Sequence, residues 1–263
     1  MSFSKKSLGQ NYLIDSNIIK KITNIPQIYN KNILEIGPGM GALTEQILSK
    51  KPKSLILVEK DDFLSEELKK KYKKYDNITV FNQDILKFDL EKKMKKDTII
   101  IGNLPYNIAS QILVKIIKSK KWPPKYFSLI LMFQKEMSDR ITGSYGTSNY
   151  GRLSILANYR LDIISKFNVS PNCFSPKPKV DSTVIFFKPK NEILCKLKSV
   201  ESLEKITNIF FSSKRKMINK NIKKIFKEED LQELKNQINL KARPTDIKPD
   251  LYYNLARIFE KIS

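Results

Sequence analysis

The chain has 263 residues, with no histidine and only two cysteines, Cys173 and Cys195. Without histidine it cannot use Ser-His-Asp or Cys-His nucleophile systems, histidine acid–base catalysis or histidine-ligated metal sites. The two cysteines have no metal-ligand spacing and are too few for a disulfide framework. We therefore expect no bound metal, and a reducing compartment.

Long apolar runs are also lacking. No stretch approaches the roughly 18 uninterrupted apolar residues of a membrane span, and the first seven residues contain no apolar segment. We expect a cytoplasmic protein without a membrane partner. The length permits one large domain with a small appendage, and we expect a monomer.

Acidic residues are few beside basic ones, 27 Asp and Glu against 49 Lys and Arg, which gives a net charge of +22. Such an excess favours a polyanionic partner through phosphate neutralisation. RNA, DNA and an anionic membrane would all satisfy it. The basic residues are nearly all lysine. A bias in the base composition of the coding sequence could also produce this excess.

Apolar runs alternate with helical patterns from Asn32 to about Gln134, which predicts parallel βαβ units in a doubly wound sheet. The predicted strands are Asn32–Ile36, Ser54–Glu59, Ile78–Asn82, Thr98–Gly102 and Phe127–Phe133. Later runs over Tyr159–Val169 and Val180–Phe187 predict two strands that close the sheet as an antiparallel hairpin.

After Pro189 the spacing of apolar residues becomes helical. It continues from about Ser199 to Ile262, with an acidic helix start at Glu228-Glu229-Asp230 and a break at Pro244. We expect a catalytic domain over residues 1–189 and a small all-helical domain over residues 190–263.

The first predicted strand runs into the glycine-rich segment Gly37-Pro38-Gly39-Met40-Gly41-Ala42. Glycines there let the backbone approach a ligand at the start of a helix. Gly37, Gly39 and Ala42 also fit the dinucleotide-binding pattern, with Glu59 about twenty residues further on. A NAD enzyme therefore stays among the alternatives.

Polar side chains follow the third and fourth strands as well. Asp84 offers a carboxylate suited to an adenine amino group, and Asn103 comes directly after an apolar run. Ligands of open α/β sheets bind beyond the carboxyl ends of the strands, so these side chains line one cleft.

The tetrapeptide Asn103-Leu104-Pro105-Tyr106 is suited to methyl transfer onto a planar exocyclic amine. The Asn103 side-chain oxygen and the Leu104 carbonyl can accept the two N–H bonds of such an amine. Pro105 stiffens the backbone, and Tyr106 offers a ring face on which a base can stack. A plain strand-to-helix turn is the alternative, because Asn and Pro are common turn residues.

With these motifs the chain resembles the ribosomal RNA adenine N6,N6-dimethyltransferase family, the kasugamycin-resistance methylases of the small ribosomal subunit. The resemblance runs from Gly9 to the C-terminal helices. It implies a Rossmann-like class I methyltransferase sheet, S-adenosylmethionine as cofactor, and N6,N6-dimethylation of two adjacent adenosines in the 3′-terminal hairpin loop of 16S rRNA. A role in small-subunit biogenesis is implied too.

The resemblance also implies residue roles. Donor-binding residues are Gln10, Asn11, Leu13, Gly37, Gly39, Glu59 (ribose), Asp84 (adenine), Ile85 and Asn103. Catalytic residues are Asn103, Leu104, Pro105 and Tyr106, with Phe174 closing on the target base opposite Tyr106. RNA contacts fall on Lys214, Arg215, Lys216 and Arg243. Lys214 stands where the family usually has Arg, which puts a bidentate phosphate contact in doubt.

Three other functions remain open beside the NAD enzyme. The erythromycin-resistance methylases share the fold but modify large-subunit RNA, and they typically carry Gly-Lys-Gly-His-Phe-Thr where this chain has Gly39-Met40-Gly41-Ala42-Leu43-Thr44. DNA adenine methylases usually carry Pro-Pro-Tyr after the Asp or Asn, and Leu104 departs from that. A non-catalytic ribosome-assembly factor could keep the fold.

Overall fold

The computed structural model describes residues 11–234 and 237–263. The described chain forms two compact units. The first contains residues 11–138 and 162–189, and the second contains residues 139–161 with the described part of 190–263. Residues 139–161 thus pack with the C-terminal segment. The functional division at residue 189 stays a prediction.

The first unit is built on a seven-stranded sheet with the order β4-β3-β2-β5-β6-β9-β7. Its strands are β2 (Asn32–Ile36), β3 (Ser54–Glu59), β4 (Ile78–Asn82), β5 (Thr98–Asn103), β6 (Tyr126–Gln134), β7 (Leu161–Val169) and β9 (Ser182–Pro189). Strands β4 to β6 in this order are all parallel, whereas β9 pairs antiparallel with β6. The predicted doubly wound sheet is confirmed.

Three of the predicted strands, β2, β3 and β4, have the predicted bounds, and β5 is one residue longer. The strand predicted from Tyr159 begins two residues later, at Leu161, because helix α7 continues to Arg160. Strand β9 begins at Ser182, after the exposed Val180. The two late strands do complete the sheet, with β9 between β6 and β7.

Helices pack on the sheet and bury its central strands. These helices are α1 (Ser16–Asn24), α2 (Ala42–Ser49), α3 (Asp62–Lys71), α4 (Leu90–Lys93) and α5 (Ala109–Ile117). Helix α6 (Lys135–Ile141) follows β6, and its last three residues belong to the second unit. Strand β5 is buried from Thr98 to Gly102, as expected for a parallel strand covered on both faces. A short two-stranded sheet pairs β1 (Tyr12–Leu13) with β8 (Phe174–Ser175).

The second unit is helical. It contains α7 (Arg152–Arg160), α8 (Val200–Phe211), α9 (Asn219–Ile225) and α10 (Pro249–Ile262). Helix α8 begins where Ser199 accepts the N–H of Glu201, and α10 packs on it through the buried Tyr252. The predicted helical C-terminal region is confirmed. Within the described residues, no helix is both long and apolar enough to cross a membrane.

Gly102 permits the close approach of β5 to β2. A β-carbon on Gly102 would lie 2.9 Å from the Ile36 carbonyl oxygen and 3.1 Å from Leu104 Cδ2. We expect Gly102→Ala to lower the free energy of unfolding by about 1–3 kcal/mol, the usual cost of overpacking. Urea denaturation measures it. Thr79→Ala, at an exposed position of β4, is the control and changes stability by less; equal effects of both substitutions would contradict the steric argument.

Candidate active site

A cavity lies at the carboxyl ends of the parallel strands, where open α/β sheets bind their ligands. It encloses about 1090 Å³ of empty space, its opening to solvent included. Four segments that follow strands β2, β3, β4 and β5 contribute to its wall, together with the chain around β1. The fold therefore brings together residues that are distant in the sequence, such as Asn11 and Asn103, which are 92 positions apart.

The glycine segment after β2 curves around one end of the cavity. Gly37, Gly39 and Gly41 have φ angles of +65°, +57° and +86°, which L side chains rarely adopt. A β-carbon on Gly39 would also lie 2.9 Å from the Tyr12 ring. Position 39 thus needs glycine both for its backbone conformation and for its contact with Tyr12.

Glu59 is held by the backbone on two sides. Its Oε2 accepts the Gly39 N–H at 3.1 Å, and its Oε1 accepts the Asp61 N–H at 2.9 Å. Burial raises the pKa of this carboxyl, although the backbone hydrogen bonds act in the opposite direction. A carboxylate has about four lone-pair sites, so Glu59 keeps acceptor capacity toward the cavity.

Glu35 is the most deeply buried acid in the wall, at 1% exposure. Thr44 Oγ1 donates to its Oε2 at 2.7 Å. Burial raises the pKa of Glu35 to about 8; the Thr44 hydrogen bond lowers it, and the nearby Glu59 raises it. The protonated form of Glu35 is therefore favoured at neutral pH in this structure.

Asp84, at the end of β4, is partly exposed. Lys60 Nζ lies 2.8 Å from its Oδ2, and the Leu86 N–H donates to its Oδ1 at 2.9 Å. The hydrogen bond from Lys60 holds the pKa of Asp84 below its usual value, although burial acts in the opposite direction. Asp84 is thus an ionised acceptor at the cavity wall.

Asn103 and Tyr106 both have fixed partners. Asn103 Nδ2 donates to the Asn11 carbonyl at 2.9 Å, which leaves the side-chain oxygen as the remaining acceptor. The Tyr106 hydroxyl shares a hydrogen bond of 2.8 Å with Ser182 Oγ. Burial raises the pKa of Tyr106, so the phenol stays neutral.

The structure brings most of the candidate residues into this one wall. Those that line the cavity are Asn11, Leu13, Gly37, Gly39, Glu59, Asp84, Ile85, Asn103, Leu104, Pro105 and Tyr106. Gln10 lies outside the described residues. Lys214, Arg215, Lys216 and Arg243 are exposed positions of the second unit.

Phe174 is the exception among the described candidates for donor binding and catalysis. It is 3% exposed and belongs to the hydrophobic core of the first unit, paired with Leu13 in the two-stranded sheet. The structure does not bring Phe174 to the described wall of the cavity. Its contact with a target base stays a prediction.

Tyr12, Glu35 and Lys60 are among the wall residues that were not identified as candidates from the sequence. Lys60 directly follows Glu59 at a strand end, so the rule that located Glu59 would also have indicated Lys60. Glu35 lies at the end of β2 and was hidden within an apolar strand. Nothing in the sequence indicates the contact of Tyr12 with Gly39.

The raised pKa of Glu35 predicts a pH dependence of stability. Its folded-state pKa lies above the ordinary 4.5, so the contribution of Glu35 to the free energy of unfolding is complete below about pH 4.5 and falls as the pH rises toward 8, by roughly 1.4 kcal/mol per pH unit. The chain has no histidine to titrate in this range. We expect Glu35→Gln, which keeps an acceptor for Thr44, to flatten most of this decline in urea denaturation between pH 5 and 8.

Glu45→Gln is the matched control on the neighbouring helix, because hydrogen bonding to Lys71 lowers the pKa of Glu45. This variant should retain the wild-type decline. Part of the decline also remains in Glu35→Gln, since burial raises the pKa of Glu59 too. An identical pH profile for wild type and Glu35→Gln would show that Glu35 is ionised throughout.

Comparison with known proteins identifies the family. The sequence profile described as ribosomal RNA adenine dimethylase matches residues 1–261. Ribosomal RNA small subunit methyltransferase A of Pelagibacter ubique (strain HTCC1062) is 45% identical, over 98% of both chains, and that of Malacoplasma penetrans (strain HF-2) is 42% identical, over 96% of this chain and 91% of that protein.

Solved structures agree with this. A dimethyladenosine transferase from Plasmodium falciparum superposes with a TM-score of 0.78 at 27% identity, covering 95% of this chain and 97% of that one. The 23S rRNA methyltransferase ErmE, at 23% identity and a TM-score of 0.68, covers 95% of this chain and 100% of its own and shares the fold. The chain therefore belongs to the ribosomal RNA adenine dimethylase family.

Proposed function

We propose that this protein transfers methyl groups from S-adenosylmethionine to the N6 amines of adenines in small-subunit rRNA. One observation carries the proposal: the tetrapeptide Asn103–Tyr106 lies in the wall of the same cavity as the glycine segment, Glu59 and Asp84. The groups suited to an adenosyl donor and those suited to an exocyclic amine thus share one space. The two relatives named as small-subunit methyltransferases support the choice of RNA.

The residues of the wall fit an adenosyl donor. Glu59 has acceptor capacity for ribose hydroxyls, and its orientation is fixed by Gly39 and Asp61. Asp84 is an ionised acceptor for an adenine amino group, and the buried Ile85 beside it offers an apolar contact for the ring. The glycines have no side chains, which leaves room for a ligand close to the backbone. S-adenosylmethionine, when bound, supplies a methyl group activated by its sulfonium.

Asn103 would orient the amine of the target base. Because its Nδ2 is engaged by the Asn11 carbonyl, its Oδ1 is available to accept one N–H of the amine. The Leu104 carbonyl would accept the other. Two such hydrogen bonds hold the amine so that its lone pair is directed at the methyl carbon, which is catalysis by orientation and electrostatics.

Bond formation then needs no base at the start. The N6 lone pair forms the new C–N bond as the methyl–sulfur bond breaks, and the amine nitrogen gains a positive charge. The pKa of the methylated amine is then low, and a proton leaves it to water or to a backbone carbonyl. A second transfer requires the monomethylated amine to turn, with only one N–H left for Asn103 or Leu104.

Tyr106 would supply the stacking face for the base. Its hydroxyl is held by Ser182, which fixes the ring at the cavity wall. Phe174 on the opposite side of the base would have to leave the core first, since it is 3% exposed. Of Tyr106 and Phe174, only Tyr106 lines the cavity in this structure.

The finer assignments follow from the same proposal. We infer dimethylation of two adjacent adenosines in the 3′-terminal hairpin loop of the 16S rRNA, by a monomer working in the cytoplasm during small-subunit biogenesis. The exposed residues Lys214, Arg215, Lys216 and Arg243 would contact RNA backbone from the helical unit.

The proposal is tested by transfer of labelled methyl groups to unmethylated small subunits, naked small-subunit RNA and large-subunit RNA in parallel, followed by mapping of dimethyladenosine. We expect label on two adjacent adenosines near the 3′ end of small-subunit RNA. Label in large-subunit RNA alone would contradict the substrate assignment. Donor binding without any transfer would indicate an assembly factor.

Asn103→Ala removes the acceptor for the target amine. We expect a loss of roughly 10²–10³-fold in kcat, the usual effect of removing one preorganised polar contact. Asn107→Ala is the matched control, because Asn107 lines the same cavity at an exposed position; it should stay within a few-fold of wild type. Single-turnover methylation of small subunits measures both. Near-normal turnover of Asn103→Ala would exclude the orienting role.

Two substitutions separate the role of the Tyr106 ring from that of its hydroxyl. Tyr106→Phe keeps the ring and loses only the hydrogen bond to Ser182, so we expect most activity to remain. Tyr106→Ala also loses base stacking, worth about 1–3 kcal/mol, and should weaken the productive capture of RNA by roughly 5- to 150-fold in kcat/KM. Steady-state kinetics on small subunits compares the two, and equal losses would show that the hydroxyl is the important group.

A further inference from the structure

The two ends of the parallel strands differ sharply in charge. The loops that precede strands β2 to β6 contain twelve lysines and two aspartates, whereas those that lead from strands β2 to β5 into the next helices contain two lysines and three aspartates. The preceding loops are residues 25–31, 50–53, 72–77, 94–97 and 118–125. Coding-base bias acts on both sets of loops alike, so it does not explain this asymmetry. We call the five preceding loops the lysine rim.

The lysine rim is continuous on the β2–β3–β4 side of the sheet. The Lys53 N–H donates to the Lys31 carbonyl at 2.9 Å, which joins the loops before β3 and β2. Asn77 Nδ2 donates to the Pro52 carbonyl at 3.0 Å, which joins the loops before β4 and β3. Neighbouring loops are thus joined by hydrogen bonds to their backbone carbonyls.

Hydrogen bonds also connect the rim on the β5–β6 side of the sheet. Asn32 Nδ2, at the start of β2, donates to the Lys96 carbonyl at 3.2 Å. The Thr98 N–H, at the start of β5, donates to the Lys125 carbonyl at 3.2 Å. Five adjacent strands at about 4.8 Å spacing extend the rim over about 19 Å.

Helix dipoles account for only part of this charge. Lysines in the last turn of a helix stabilise its negative end, and the rim loops all follow helices. Lys53, Lys96 and Lys121 lie three or four residues beyond the last helical residue, and all three are exposed. Within the described part of the chain, the ion pairs of the first unit do not include Lys53, Lys96 or Lys121.

Backbone strain is also found in the rim. The described non-glycine residues with positive φ are Asn30, Lys51 and Asp97, and all three belong to rim loops. Lys51 has a φ of +53° just after helix α2, where glycine is the usual residue. A lysine there costs conformational energy relative to glycine and adds one more positive charge to the rim.

We propose that the lysine rim binds backbone phosphates of an RNA segment distinct from the one that enters the cavity. This rests on the proposed function, because the partner is the folded RNA of the small subunit. Strands of five or six residues separate the rim from the cavity by about 17–20 Å, so one RNA loop does not occupy both. The rim would anchor the enzyme on the particle, and the cavity would take the base.

The test is the salt dependence of binding to unmethylated small ribosomal subunits. The triple variant Lys53→Gln/Lys96→Gln/Lys121→Gln removes three rim charges without touching the cavity. Each phosphate contact contributes about 0.7 to 0.9 to the slope of log K against log salt, so we expect the slope to fall by about 2 to 3. At saturating subunits kcat stays at the wild-type value, and donor affinity in calorimetry is unchanged.

Two further variants serve as controls. Lys20→Gln/Lys166→Gln/Lys188→Gln removes three exposed lysines of the same unit from α1, β7 and β9, and it should change the slope by less than one. Lys53→Arg/Lys96→Arg/Lys121→Arg keeps the charge and should keep the slope. Circular dichroism melting establishes that each variant is folded.

An unchanged slope for the rim variant, or equal losses in the rim and control variants, would overturn the proposal. Loss of binding to phosphatidylglycerol-containing vesicles with an unchanged slope on small subunits would overturn it in favour of a membrane. If wild-type protein transfers no methyl groups to small subunits, the proposed function fails, while the binding slopes still report on the rim.

Discussion

Everything at the site depends on five neighbouring strands that run in the same direction. Because β2 to β6 are parallel, all their carboxyl ends meet at one edge of the sheet and all their amino ends at the other. The first edge collects the glycine segment, the acids and the Asn103 tetrapeptide. The other collects lysines. The parallel direction of the strands thus places the groups suited to the methyl donor and the amine at one edge of the sheet. It places the lysines that we propose bind RNA phosphates at the other edge.

Within the cavity, burial and hydrogen bonding act against each other on the acids. Glu59 is buried but is held by two backbone donors, whereas Glu35 has one hydroxyl donor and a pKa raised to about 8. Asp84, with Lys60 beside it, stays ionised. The pKa is thus raised for Glu35 and Glu59 and lowered for Asp84, because the surroundings of the three carboxyl groups differ.

The sequence predicted the strands of the first unit well, since each is an apolar run followed by a polar or glycine-rich turn. Site residues at strand ends were predictable for the same reason. Contacts between distant segments were not, because local patterns contain no information on them. The hydrogen bond from Asn103 to Asn11, the core position of Phe174 and the packing of residues 139–161 with the second unit all belong to this class.

The short pairing of β1 with β8 mechanically connects two parts of the site. Leu13 pairs with Phe174, and two positions before Leu13 the Asn11 carbonyl holds the amide of Asn103. A displacement that brought Phe174 out of the core would pull on β1, whose first residue, Tyr12, directly follows Asn11. The predicted closure of Phe174 over a base would therefore be coupled to the position of the Asn103 amide.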